Sequence, residues 1–536
     1  IRSWRVVSMS ELVQINLMGG LNLSESDQLL ALGECTELVN YEITSTGRYK
    51  RMQGYERFDG QPAPSSVVLN ELPDAPYASV EEAIAAVKAA QEARRLLIGP
   101  VPGSGQVLGV FGFAGKYYAF RNTVDGLAAK MWRASETGWQ EVSTPALAPN
   151  GQYSIEEANF TGSAGTAEVI GTDGRNPAFR FNGTTFSQIT GPITPDQPTY
   201  CAVLASNVLL LAYRGGSFVF SSVGDPTKFS PVDGGGEIAV GQEITGLSVM
   251  AEGTCAVFCR NKTYVLYGKS SADFQLTSLA LNAGAISGTI QHMSMPVYLD
   301  DGGIKRLDRV QQFGDFENAT ISQKVQNFLT QRVGNSCCSF TVKSKNQYRL
   351  FFGDQTGLCL TMFGSDVLGF TEMRIGFTPR CAWSGEADQG EIILAGAEDG
   401  YVYQMDSGNS HDGQSYPSWF QTGFMAFGSP EDKKRWMKLV VEVNSASRVS
   451  AQYVCYYDYA DPNVPMTDTL LGTGSRWDLD YWNDAVWSGS YTSWNDIYLD
   501  GVSRNVAVYM MTLSDYYPPH VVSQMYLHYS PRGRRR

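Results

Sequence analysis

A short hairpin pattern recurs seven times between about Gly105 and Met405, and no other feature of the chain restricts its fold as much. In each copy an apolar run meets a polar, usually glycine-containing turn, and the chain returns as an aromatic or β-branched run. Val110 to Phe113, for example, turns at Gly115-Lys116 into Tyr117 to Phe120. The later copies turn at Asp173-Gly174, Gly215-Gly216, Asn261-Lys262, Asp301-Gly302, Gln355 to Gly357 and Asp399-Gly400. Asp-Gly and Gly-Gly supply the positive φ angles of tight hairpins, so turn chemistry and strand pattern agree. The spacing averages about 47 residues, the length of a four-stranded antiparallel blade with its loops. The chain is therefore read as all-β and built on a β-propeller of about seven blades, with six to eight compatible with the repeat. Each hairpin is expected to form the middle of a blade.

At 536 residues, with 43% hydrophobic and 12% aromatic side chains, the chain can bury several substantial cores and is not disordered. A net charge of −13 argues against a continuous basic face that grips nucleic acid. It is compatible with a wall past which DNA slides, and equally with simple solubility. Nine cysteines are scattered mostly through apolar strand runs, as small buried thiols in a protein assembled in a reducing cytosol would be. Cys255 and Cys259 share a strand face but lack a second ligand pair, so no metal or cofactor is expected. The apolar run Ala202 to Tyr213 is shorter than a membrane span, and the N-terminus lacks a signal-peptide pattern, so no direct membrane insertion is expected.

Three regions follow in order. Residues 1–101 hold a strand pair, a linker and one amphipathic helix. Alternation between Glu37 and Phe58 suggests two strands turned at Ser45 to Gly47, a candidate stitch for closing the propeller. After the linker around Pro62 and Pro64, Ser79 and Glu82 form a capping box, and Val80, Ala83, Ile84, Val87 and Ala90 share one helix face. Residues 102–428 hold the propeller, with a short helix expected near Ile321 to Leu329. Residues 429–536 form a β-sandwich-like domain with strands around Trp436 to Val443, Tyr453 to Tyr459, Val506 to Leu513 and Val521 to Tyr529, and a basic tail.

In the last region Trp477, Trp482, Trp487 and Trp494 alternate with aspartates, a composition suited to a subunit or partner interface, to sugar, or to plain packing. Arg534, Arg535 and Arg536 are either a solvated tail or a contact to an acidic neighbour subunit. Catalytic spacing is lacking. No His-Glu-x-x-His helix or Gly-x-Ser-x-Gly elbow occurs, and the glycines at Gly103 to Gly105 and Gly112 to Lys116 have the wrong spacing for a phosphate loop. Propeller glycosidases pair carboxylates at an axial mouth, which turn residues such as Asp300, Asp301 and Asp399 would have to supply; such aspartates mostly serve their own turns. The chain is expected not to be an enzyme.

Three segments resemble a phage family. Gly19-Gly20-Leu21-Asn22, Gly33-Glu34, Leu38, Asn40-Tyr41, Lys50-Arg51 and Gly54-Tyr55-Glu56-Arg57 resemble the N-terminal signature of the tail nozzle, or tail tubular protein B, of short-tailed double-stranded DNA phages. Pro102 to Gly105 with Tyr117 to Arg121 and Gly138-Trp139 resembles that family's entry into its propeller, and Lys434-Arg435-Trp436 with Tyr529 to Arg534 resembles its ending. The resemblance implies a structural virion protein of the tail, assembled in the host cytoplasm as a homo-hexamer beneath the portal-adaptor ring. Such a ring conducts phage DNA without sequence-specific binding and attaches tail fibres or other tail proteins. Two alternatives stand beside it: a receptor- or glycan-binding propeller, possibly a depolymerase, and an intracellular propeller scaffold.

Overall fold

Consecutive apolar residues in the hairpin strands point to opposite faces, and each face meets a different neighbour. Leu209 and Leu211 enter one apolar cluster while Leu210 and Ala212 enter the next. That is why the run Val208 to Ala212 shows no polar alternation: both faces of its sheet are buried. The computed structural model describes residues 10–532 apart from 28, 70–71, 73–76, 78, 251–252, 282, 310–315, 388–389, 446–448 and 460–490.

Six four-stranded antiparallel sheets and the first four strands of an eight-stranded one succeed each other along the chain. They begin at Ser104, Ser154, Tyr200, Ile244, Gln291, Ser336 and Pro379, and are numbered here as blades 1 to 7. Separate apolar clusters join blades 1 and 2, 2 and 3, 3 and 4, 4 and 5, and 6 and 7. The largest cluster joins blades 5 and 6, and another, with Val107, Val110, Leu394 and Val402, joins blade 7 back to blade 1. The ring is thus a closed seven-bladed β-propeller. Six of the seven repeat hairpins are the middle two strands of their blades; the first, Ser104–Phe113 with Lys116–Asn122, is the inner pair of blade 1.

The stitch comes from one N-terminal strand and not from a pair. Tyr55–Phe58 lies antiparallel to Val402–Met405 as the outermost strand of blade 7. Arg57 pairs with Asp412 at 3.0 Å and stacks over the Tyr401 ring, and the Glu56 carboxylate accepts from Ser65 N at 2.7 Å and Ser407 Oγ at 2.8 Å. A Cβ on Gly54 would overlap the Ser410 carbonyl, so the strand enters through a gap only glycine can occupy.

The other N-terminal strands belong to the β-sandwich. One sheet runs Tyr41–Ile43, Tyr49–Arg51, Val521–Arg532, Lys433–Ser445, Tyr491–Ser503, with Glu11–Asn16 also paired to Val521–Arg532. The second holds Cys35–Val39, Tyr416–Thr422, Val506–Ser514 and Ala451–Tyr457, and continues into blade 6 through a parallel step between Val39 and Glu372. The three consecutive regions read from the sequence are therefore redrawn: residues before 60 are shared between sandwich and propeller, and the sandwich takes in Tyr416–Thr422, upstream of the expected boundary. Helix α1 (Val80–Arg95) matches expectation, with Ser79 Oγ accepting from Glu82 N at 3.2 Å, and a short helix α2 (Gln326–Thr330) precedes blade 6.

Where sandwich, blade 6 and blade 7 converge, charges replace hydrocarbon. Arg349 is wholly buried and forks onto Asp406 at 2.7 and 2.8 Å, while Lys345 bridges Asp406 at 2.9 Å and Glu42 at 2.8 Å. Burial alone would raise the Asp406 carboxyl, but Arg349 and Lys345 more than reverse this and hold it well below its ordinary value of 3.8. A depressed carboxyl contributes stability above its unfolded pKa and loses it as pH falls through the folded one. Asp406→Asn, which keeps the positive φ of this position accessible, should cost about 3–5 kcal/mol in guanidinium unfolding at pH 7, because it takes the forked carboxylate from buried Arg349 and leaves Glu42 as the one acid facing both Arg349 and Lys345. That difference should shrink as pH falls below 3.8, where the unfolded chain's carboxyl takes up a proton that the folded one still resists. Gly54→Ala should raise hydrogen exchange selectively along Tyr55–Phe58 and Val402–Met405 at a cost of about 1–3 kcal/mol, the range for a steric intrusion.

Candidate functional site

The inner strand of each blade is hydrogen-bonded to a neighbour on one side only, so its free edge runs along the propeller axis. Edges of blades 2 to 7 enclose an axial cavity of about 530 Å³. Gln152, Glu156, Thr245, Ser248, His292 and Arg380 are among its lining residues, interleaved with apolar ones such as Leu247, Phe340 and Trp383. At the end where the inner strands begin, side chains from different blades approach one another. The Tyr200 and Ser287 hydroxyls, from blade 3 and the approach to blade 5, hydrogen-bond in front of blade 4. The Gln152 amide of blade 2 lies 3.7 Å from where a Cβ on Gly288 would be.

Glu156 is exposed to the lumen, but the protein packed around that lumen leaves its carboxyl less water than free solution does, and this desolvation pushes it up to about 7. Desolvation, with the nearby Lys343 charge, pushes His292 the other way, so its imidazole is neutral at pH 7. Arg380 ties to Glu398 at 3.0 Å. Cys255 and Cys259 enter one apolar cluster but lie four residues apart on one strand, about 13 Å at the usual strand rise, and burial raises their thiols to about 12 and about 11, so both stay protonated and poor as ligands. Among the described residues no group of three or more His, Cys, Asp or Glu side chains could hold a metal ion, and no helix is long and apolar enough to cross a membrane.

The turn aspartates are occupied locally. Asp399 accepts from Tyr401 N at 2.9 Å and Tyr403 Oη at 2.8 Å, Asp301 pairs with Arg260 at 2.6 Å, and Asp300 pairs with Lys305. They do not converge as an acid-base pair.

Of the aromatic and arginine residues marked as a candidate interface, Trp477, Trp482, Trp487, Arg534, Arg535 and Arg536 lie outside the described residues. Trp494 lies on Tyr491–Ser503 at an open sheet face, 63% exposed and stacked on Tyr526 at 5.3 Å. Tyr498, 81% exposed, and Leu12 share that face, which carries a Lys438–Asp496 ion pair at 2.9 Å.

The three resembling segments fall on seams. Tyr49 Oη donates to Gly33 O and accepts from Gly20 N, and Glu34 joins Asn22 at 2.8 Å to Lys324 at 2.6 Å, tying the sandwich to the turn before α2. Asn40 Nδ2 donates to Pro417 O while its Oδ1 accepts from Arg374 N, both at 2.8 Å. Buried Arg51 donates to Ser514 O at 2.8 Å and stacks over Tyr416. Arg121 donates to the Val101 and Gly105 carbonyls beside the seam between blades 7 and 1. Within the sandwich, Trp436 Nε1 donates to Ser503 Oγ at 2.6 Å, and Lys434 Nζ to the carbonyls of Ser429 and Asp432 at 2.8 and 3.1 Å.

No protein-family model matches the chain, and no curated protein does. Solved structures similar to it include "YCF48 bound to D1 peptide", at 10% identity over 57% of this chain and 95% of that one, with a TM-score of 0.39. A streptogramin B lyase is 10% identical over 57% of this chain and 95% of its own, with a TM-score of 0.40. A virginiamycin B lyase from Staphylococcus aureus is 11% identical over 56% and 94%, again with a TM-score of 0.40.

The axial residues were not singled out from sequence. Their strands are short and mixed, such as Ser154-Ile155-Glu156-Glu157-Ala158, and lack the apolar runs that marked the hairpins. Their place one strand upstream of each hairpin is the signal that finds them. Because the raised carboxyl of Glu156 favours the folded state only while protonated, its stabilising effect fades as pH rises through about 7. Glu156→Gln should therefore raise the melting temperature at pH 8 relative to wild type and change it little at pH 5, as scanning calorimetry would report.

Proposed function

We propose that this chain is a tail nozzle of a short-tailed phage, a non-enzymatic virion protein whose copies form a ring, expected to be six-fold, that conducts DNA and attaches to an adaptor above and to fibres at its side. The observation that carries the reading is where the resembling residues lie. Gly20, Gly33, Glu34, Asn40, Arg51, Arg121 and Trp436 hold turns and strand junctions together, and Glu34, Asn40 and Arg51 do so across about 300 residues or more, as a signature of architecture does. None of the seven lines the axial cavity.

In this reading the DNA path is the axis of the ring of copies and not that of the propeller. A cavity of about 530 Å³ crossed by Gln152 and by the Tyr200–Ser287 bond cannot pass a duplex whose major groove alone is about 12 Å wide. The net charge of −13 suits a conduit that repels phosphate, and the Trp494–Tyr498 face suits a contact to a neighbouring copy or tail protein. The local partners of Asp300, Asp301 and Asp399 give the depolymerase alternative no support.

Cryo-electron microscopy of the purified protein and of the particle that contains it tests the reading. A six-fold tube continuous with the portal is expected; a protein confined to peripheral fibres, or absent from particles, overturns it. Trp494→Ser should lower incorporation into the ring at least tenfold, the effect of losing about 1.4 kcal/mol or more at an aromatic contact, while leaving the melting temperature of the free chain unchanged.

A further inference from the structure

The axial cavity carries an inference independent of any ring. Thr245 and Ser248, on the inner strand of blade 4, are 8% and 6% exposed, and their hydroxyls have no hydrogen-bond partner among the described residues. Both residues line the cavity. Around them run the unpaired edges of the inner strands Ser154–Ala158, Tyr200–Val203, Ile244–Met250, Ser336–Val342 and Pro379–Ala387, each offering backbone N–H and C=O groups in turn. A buried polar group without a partner costs about 1–3 kcal/mol, so this lining is completed by something that hydrogen-bonds.

The pattern of donors and acceptors selects the chemistry. A sulfate or carboxylate only accepts and so leaves the strand carbonyls unanswered; an ammonium only donates and leaves the N–H groups. A hydroxyl does both. The amides of Gln152 and Gln291 also do both, and the Glu156 carboxyl, half protonated near pH 7, adds a further group of either kind. The volume lies within the ~300–1,000 Å³ typical of small-molecule sites. We propose that the axial cavity of the propeller binds a neutral polyhydroxylated ligand of mono- to disaccharide size, held by the Thr245 and Ser248 hydroxyls and the free edges of the inner strands.

The full chain is titrated with D-glucose, N-acetyl-D-glucosamine and maltose by calorimetry and saturation-transfer NMR, with inorganic sulfate and putrescine as acceptor-only and donor-only competitors. Saturable binding of at least one sugar at one site per chain is expected, unaffected by either competitor. It should weaken at least tenfold in Thr245→Val/Ser248→Ala and separately in Glu156→Leu, each checked for a melt no lower than that of wild type; the two variants sit on different blades, so misfolding of one leaves the other decisive. Failure of all three sugars to bind, displacement by sulfate or putrescine, or equal binding by folded variants overturns the proposal. Because these measurements use the free chain, their outcome is separate from whether the protein forms a nozzle.

Discussion

Four residues hold the propeller shut. Tyr55–Phe58 pairs with Val402–Met405 across about 350 residues of chain, and each blade interface depends on that ring staying closed. The apolar clusters lie between blades, so a blade released at its outer strand would expose hydrocarbon on both its faces. The local chemistry suits the task. Glycine lets Gly54 approach the Ser410 carbonyl, Arg57 is clamped between Asp412 and the Tyr401 ring, and Glu56 is satisfied by Ser65 and Ser407.

Beside the closure, the ion cluster of Glu42, Lys345, Arg349 and Asp406 fixes how the sandwich meets the ring. A buried charge pair gives little net stability, but its geometry is demanding, since guanidinium and carboxylate must meet edge to edge. Blade 6 supplies Arg349, the end of blade 7 supplies Asp406, and the N-terminal hairpin supplies Glu42. One orientation of the three satisfies all the charges. With the continuous sheet from blade 6 into the sandwich, this makes a joint that resists bending.

The repeat was legible because glycine-bearing turns and two-faced apolar runs are local properties, set by φ angles and burial on each strand. Helix α1 was legible for the same reason, its cap and dipole charges lying within a few residues of one another. Pairing between distant segments was not. Alternation at Leu38 to Tyr41 says strand, but nothing near it says that Leu38 and Val39 lie beside Tyr416–Thr422 and that Val39 also meets Glu372 of blade 6, because register across hundreds of residues is decided by the assembled core. The axial residues were hidden for a different reason: an edge strand facing a partly polar lumen needs no apolar pattern. Trp494 was marked by residue type alone, and its exposure comes from standing on the open face of its sheet, a position that composition does not encode.

The chain's weave also orders its synthesis. Blades 1 to 6 use strands that follow one another directly, so each can form as it leaves the ribosome. The segments Glu11–Asn16 and Tyr49–Arg51 emerge first but must wait for Val521–Arg532, and Tyr55–Phe58 must wait for Val402–Met405. For most of translation the nascent protein is an open arc with an unclaimed leading end. The arc and its ion joint can close once Val402–Met405 has emerged, whereas the sandwich waits for the last of these strands, so a ribosome that stalls before residue 521 leaves a ring beside an incomplete sandwich, with Glu11–Asn16 unpaired.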